Sequence, residues 1–128
     1  MKRISFLLCF FCLTAVSALA QDAVKADPKH YTVEFENDQV RVLRIKYGPH
    51  EKSVMHSHPA GVVVMVTDMN TKFTLADGKT EVREGKAGQV QPAEEGIHLP
   101  ENLSDKPFEA ILVELKPKPM ASTQEKKP

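Results

Sequence analysis

Cysteine occurs only at positions 9 and 12, and the chain has none beyond them. Both lie in an almost unbroken apolar run from Ile4 to Leu13. Met1-Lys2-Arg3 sets positive charge before that run, and Ala18-Leu19-Ala20 follows it with the small-x-small pattern at which signal peptidase cuts. Residues 1–20 therefore read as a secretory signal, whose removal leaves 108 of the 128 residues, starting at Gln21. A cleaved chain without cysteine excludes disulfides, thiolate catalysis, thiolate metal ligation and c-type haem attachment. No cysteine stands at the Ala20/Gln21 junction, which argues against a lipid anchor.

Excess charge is also lacking. The chain has 17 Lys+Arg against 17 Asp+Glu, and losing Lys2 and Arg3 leaves 15 against 17. A slightly acidic domain is a poor partner for nucleic acid, which rewards phosphate neutralisation. No second apolar run is long enough to span a bilayer. The expectation is an exported protein, periplasmic or secreted, with no stable membrane insertion after signal cleavage and no nucleic-acid partner. A glycine-rich phosphate loop and an arguable Ser-His-Asp order are both missing. So is any ten-residue stretch of helical periodicity free of proline and glycine.

What remains reads as strand. Residues 21–29 are polar and are expected as a flexible leader, and 116–128, rich in proline and lysine, as a disordered tail. One folded domain should occupy residues 30–115. Within it Tyr31 to Phe35 and Val40 to Tyr47 alternate, and Val62 to Thr67 is a continuous apolar run suited to a strand buried on both sides. Phe73 to Leu75 and Thr80 to Val82 flank Asp77-Gly78, which favours a two-residue type I′ turn and would place Phe73, Leu75, Thr80 and Val82 on one face. Phe108 to Leu115 forms the last strand. Glycine and proline punctuate these segments at the spacing of an all-β sandwich or barrel.

The cleaved chain has five histidines: His30, His50, His56, His58 and His98. In extended backbone His56 and His58 point the same way, so both imidazoles face one metal or, in the plainer reading, both lie on the surface beside a proline turn. The wider layout supplies context. Gly48-Pro49 precedes the pair, and Gly88-Gln-Val-Gln-Pro92-Ala-Glu-Glu-Gly96-Ile-His98-Leu-Pro-Glu-Asn102 follows some forty residues later.

This layout resembles the cupin family. Its first motif has a glycine, H-x-H, a glutamate three or four residues on and a later glycine. Its second has a glycine, P-x-G, a histidine and an asparagine. The resemblance matches His56 and His58 to the first motif, and His98 and Asn102 to the second. It implies an all-β double-stranded β-helix, or jelly roll, with metal ligands His56, His58 and His98. The glutamate should fall at position 62 or 63, and both are valine. A neutral three-histidine set suits zinc, copper, nickel or iron better than the oxygen-preferring magnesium or calcium, and manganese stays among the candidate divalent transition metals. His50, Glu51, Glu94 and Glu95 are loop residues that could replace the carboxylate.

If the strand runs on unbroken from His58, Val62 and Val64 share the histidines' direction and line an apolar substrate pocket. An inward Arg44 or Arg41 could clamp a ligand carboxylate. Met55 and Met65 read as core. Two functions follow from the resemblance. One is a metal-dependent dioxygenase or isomerase acting on a small molecule. The other is a non-catalytic module that binds a small molecule or metal. A homodimer is the expected assembly.

Overall fold

Strict alternation builds the final strand. In β9 (Phe108–Leu115) Phe108, Ala110, Leu112 and Glu114 are buried, and the residues between them face outward. In β2 (Val40–Tyr47) Leu43, Ile45 and Tyr47 turn inward in the same way. The two strands pair antiparallel over their whole length, from Val40 opposite Leu115 to Tyr47 opposite Phe108. Each fully buried side chain of Leu43's size contributes about 1.5–3 kcal/mol of hydrophobic stabilisation.

The structure is a computed structural model, and it describes residues 20–118. The proposed signal sequence therefore lies outside the described residues apart from Ala20, as does the tail from 119 onward. The remaining elements are α1 (Ala23–Ala26), β1 (Tyr31–Glu36), β3 (His56–His58), β4 (Gly61–Met65), β5 (Met69–Leu75), β6 (Thr80–Gly85), β7 (Val90–Ala93) and β8 (Gly96–Asn102). They form a five-stranded sheet in the order β1-β2-β9-β4-β7 and a four-stranded sheet in the order β3-β8-β5-β6. Every pairing between strands is antiparallel. The all-β jelly roll expected from the sequence is the observed architecture. Its core of Leu43, Ile45, Tyr47, Met65, Met69, Phe108, Ala110 and Leu112 lies between the sheets.

Three local expectations are corrected. Residues 21–29 are folded onto the barrel: Ala23 is completely buried, and Asp22 caps α1 by accepting the Val24 N–H at 3.1 Å. The β4 strand ends at Met65 and is buried on one side only. Nothing among the described residues covers the outward face of its sheet, so Val62 is 38% exposed.

The third correction is the hairpin. Its loop has three residues, Ala76-Asp77-Gly78, with Leu75 N–H donating to the Lys79 carbonyl at 2.8 Å and Gly78 at φ 83°. The extra residue shifts the register so that Phe73 faces Glu81 and Lys72 faces Val82. A one-residue shift exchanges the faces of a strand. Glu81 and Arg83 therefore turn inward with Phe73 and Leu75, and Val82 is 58% exposed.

β4 approaches β9 so closely that a Cβ on Gly61 would lie 2.0 Å from the Val113 carbonyl oxygen. Gly61→Ala should therefore lower the unfolding free energy by about 3 kcal/mol in urea titrations. Gly96→Ala, with nothing within 4 Å of the new methyl, should leave it nearly unchanged. Equal effects would show that the contact at Gly61 is not limiting.

Candidate functional site

Three register pairs place the histidines. β3 pairs with β8 so that His56 stands opposite His98 and His58 opposite Gly96. Directly opposed residues share a face, and H-x-H alternation brings His58 to that same face. The ring centroids are 5.1 Å apart for His56–His98, 4.7 Å for His58–His98 and 6.5 Å for His56–His58. A tetrahedral ion about 2 Å from each nitrogen requires centroids about 5 Å apart. The structure brings the three rings together, with the His56–His98 and His58–His98 pairs at that spacing and the His56–His58 pair wider. Among the described residues, however, no three His, Cys, Asp or Glu groups are arranged to hold a metal as they stand.

Hydrogen bonding fixes which nitrogen His56 and His58 offer. His56 Nδ1 is 2.9 Å from the Val54 carbonyl, and His58 Nδ1 is 3.1 Å from the Pro59 carbonyl. A carbonyl only accepts, so both Nδ1 atoms carry hydrogen and the lone pairs sit on Nε2. His56 is wholly buried, and its Nε2 has no hydrogen-bond partner. An unpartnered lone pair in a buried ring is the donor that a late first-row divalent ion takes. The donor types and tautomers fit such an ion.

Burial holds His56 below the ordinary imidazole range, with the neighbouring His58 adding to the effect. His98 is pushed down to about 3, first by burial and then by His58, His56 and Arg83. These two rings are neutral at pH 7, the form that ligates metal.

Beside the rings a cavity of about 340 Å³ opens between the sheets. His58 and His98 share its lining with Ile45, Met65, Met69, Phe73, Leu75, Phe108 and Leu112. The pocket is apolar, as expected, but its lining differs from the expected one. Val63 and Met65 face it, whereas Val62 and Val64 lie on the outward face. The chain changes sheet between His58 and Gly61, and the alternation does not carry across. Arg44 also faces outward, held by Glu34 and Glu109.

The arginine at the cavity is Arg83, 5.4 Å from the Phe73 ring centroid and paired with Glu81. Neither residue was foreseen, because their inward orientation follows from the three-residue hairpin loop. Arg41 is instead locked between Asp22 and the buried Glu114, its Nε 2.6 Å from Glu114.

The loop carboxylates divide. Glu94 and Glu95 border the cavity, whereas Glu51 accepts from Gly48 N–H at 2.7 Å and lies 2.9 Å from His30. His50 pairs with Asp105 on the surface. Buried Asn102 is structural: its Nδ2 donates to the Gly48 and Lys106 carbonyls at 2.9 and 2.8 Å, and its Oδ1 accepts Ser104 N–H.

This architecture has solved counterparts. A cupin domain from Bordetella pertussis Tohama I is 26% identical, with a TM-score of 0.63 over 68% of this chain and 92% of that one. The chain is a small cupin-superfamily protein. An RmlC-like cupin family protein from Methanocaldococcus jannaschii, with a double-stranded β-helix fold, is 18% identical over 70% of this chain and 83% of that one, at a TM-score of 0.52. The Cupin_2 domain of an XRE family transcriptional regulator from Enterobacter cloacae is 18% identical over 69% and 96%, at 0.53. At those last two identities the likeness is one of fold. No family model and no curated protein matches the chain.

The depressed imidazoles of this cupin carry a pH signature. Because His98 prefers its neutral form when folded, its contribution to stability is complete above the unfolded-state value of 6.5. It is lost as pH falls through that value toward about 3. Urea unfolding across this range should give a steeper decline for wild type than for His98→Gln, which retains only the carboxylate and His56 contributions. Identical slopes would overturn the assignment.

Proposed function

We propose that this cupin binds a divalent transition metal through His56, His58 and His98 and takes a small, largely apolar molecule into the adjoining cavity. The observation that carries the reading is the buried, partnerless Nε2 of His56, grouped with two further imidazoles at a cavity wall. Zinc, iron, copper and nickel suit neutral imidazole donors, and manganese, which prefers oxygen ligands, is the least favoured candidate. When bound, such an ion supplies Lewis-acid or redox chemistry. The protein's own part is to hold Nε2 lone pairs at the cavity, exclude water with Met65, Met69, Phe73 and Leu75, and present Arg83 to an anionic group of the ligand.

Metal-dependent dioxygenase or isomerase activity is one outcome of this arrangement. A second reading, binding without turnover, is supported by Glu81. This carboxylate borders the cavity but is paired with Arg83, so it is not a free general base. Export is part of the proposal and rests on the charged start, apolar run and Ala18-Leu19-Ala20. Pairing with a second copy is supported by Phe35, Val62, Val90 and Leu115, exposed on the outward face of the five-stranded sheet.

Elemental mass spectrometry on purified protein should find near-stoichiometric metal, lost in His98→Ala. No metal in either protein after reloading with zinc, iron, copper, nickel and manganese would overturn the metal reading. N-terminal sequencing of protein recovered from the periplasm or medium should begin at Gln21. An intact Met1 on exported protein would overturn cleavage at Ala20.

A further inference from the structure

β3 has only three residues and one strand partner, β8, so it forms an edge of its sheet. The three register pairs, extended upstream by the Lys52–Glu101 bridge, hold β3 on one side only, and short edge segments fray readily. Ligand residues, by contrast, need placement to within about 0.5 Å. The other edge of β3 is occupied by the N-terminal segment. Ser57, between the two histidines, donates its N–H to the Gln21 carbonyl at 2.9 Å, and Asp22 bridges to Ser57 in parallel fashion. Arg41 anchors the Asp22 carboxylate and is itself held by Glu114.

The same segment then passes behind His56. The Tyr31 ring lies edge-on to the His56 ring at 4.8 Å. Buried Asp27 accepts the Ser53 hydroxyl, and its Oδ2 is 2.6 Å from His30 Nδ1. Ser53 Oγ in turn lies 3.5 Å from His56 Nδ1. A hydroxyl has one proton, and here Asp27 takes it. The Ser53 oxygen therefore turns only lone pairs toward His56 Nδ1, reinforcing the Nδ1–H that the Val54 carbonyl already accepts. Released from Asp27, the same hydroxyl competes with the Val54 carbonyl for Nδ1, and in the fraction where it donates there the ring hydrogen sits on Nε2 and blocks ligation.

We propose that residues 21–31 form a strap that positions the H-x-H strand, with Asp27 acting through Ser53 to keep the Nε2 lone pair of His56 free. Asp27 and Ser53 are positioning residues, since neither faces the cavity. The metal-affinity consequence rests on the metal reading above. The tautomer consequence does not.

Nitrogen-15 NMR of the imidazoles in metal-free full-length protein separates the two. Wild-type His56 should be a single Nδ1–H tautomer at pH 7.5, and an Nε2–H form or a mixture would overturn the proposal without further variants. Asp27→Ala should give a tautomer mixture at His56 and weaken Zn²⁺ binding roughly 10- to 100-fold. The double variant Asp27→Ala/Ser53→Ala lacks the competing donor and should recover the single tautomer, a rescue that mere loss of packing would not produce. An unchanged tautomer in Asp27→Ala, or no recovery in the double variant, overturns the proposal. If wild type shows the single tautomer and the predicted rescue yet binds no Zn²⁺, the strap stands and the metal reading falls.

Discussion

The chain crosses from one sheet to the other within two residues, Pro59 and Ala60, and the cavity exists because of that step. His56 and His58 end on the four-stranded wall, while Val63 and Met65 begin on the facing one. The step succeeds because Gly61 has no side chain where it meets the Val113 carbonyl. From that point β4 is fixed against β9, and β9 in turn pairs with β2 over eight positions. Side chains on the two inward faces enclose the space beside the histidines.

Charge is distributed to keep that space usable. The ion pairs of Arg44 with Glu34 and Glu109 lie outside the barrel and, being partly exposed, contribute little to stability. The groups behind the histidines have a different consequence. Arg41 is paired with Glu114 and Asp22, and Asp27 accepts the Ser53 hydroxyl and lies 2.6 Å from His30 Nδ1, all behind the site, while His56 and His98 stay neutral in front of it. Desolvation disfavours charge on those two rings, and at His56 it outweighs the opposing pull of the Val54 carbonyl, Asp27 and Asp22.

Legibility in the sequence followed the range of the signal. Alternation in Val40 to Tyr47 is local and β2 appears where it predicts it, as β9 does over the expected Phe108 to Leu115. The three imidazoles were also legible, because H-x-H parity needs only extended backbone and the second motif supplied His98. The hairpin was misread through a single residue: Asp77-Gly78 is compatible with either loop length, and the longer loop turned Glu81 and Arg83 inward. Val62 and Val64 were misassigned because parity is lost wherever a strand changes sheets. Residues 21–29 carry no apolar periodicity, so nothing local marked their docking on β3.

The resemblance to the cupin motifs added His98 to the site. The sequence by itself determined the all-β class, the positions of β2 and β9, and the shared direction of His56 and His58. These depend on period-two alternation and residue chemistry, which act between neighbours along the chain. Tertiary structure alone decided which valine lines the cavity, which arginine reaches it, and that the N-terminal segment closes the edge of β3. Those outcomes depend on loop length, sheet crossover and hydrogen bonds between residues distant in sequence, such as Gln21 with Ser57 and Asp27 with Ser53. Such contacts form only when the two sheets come together.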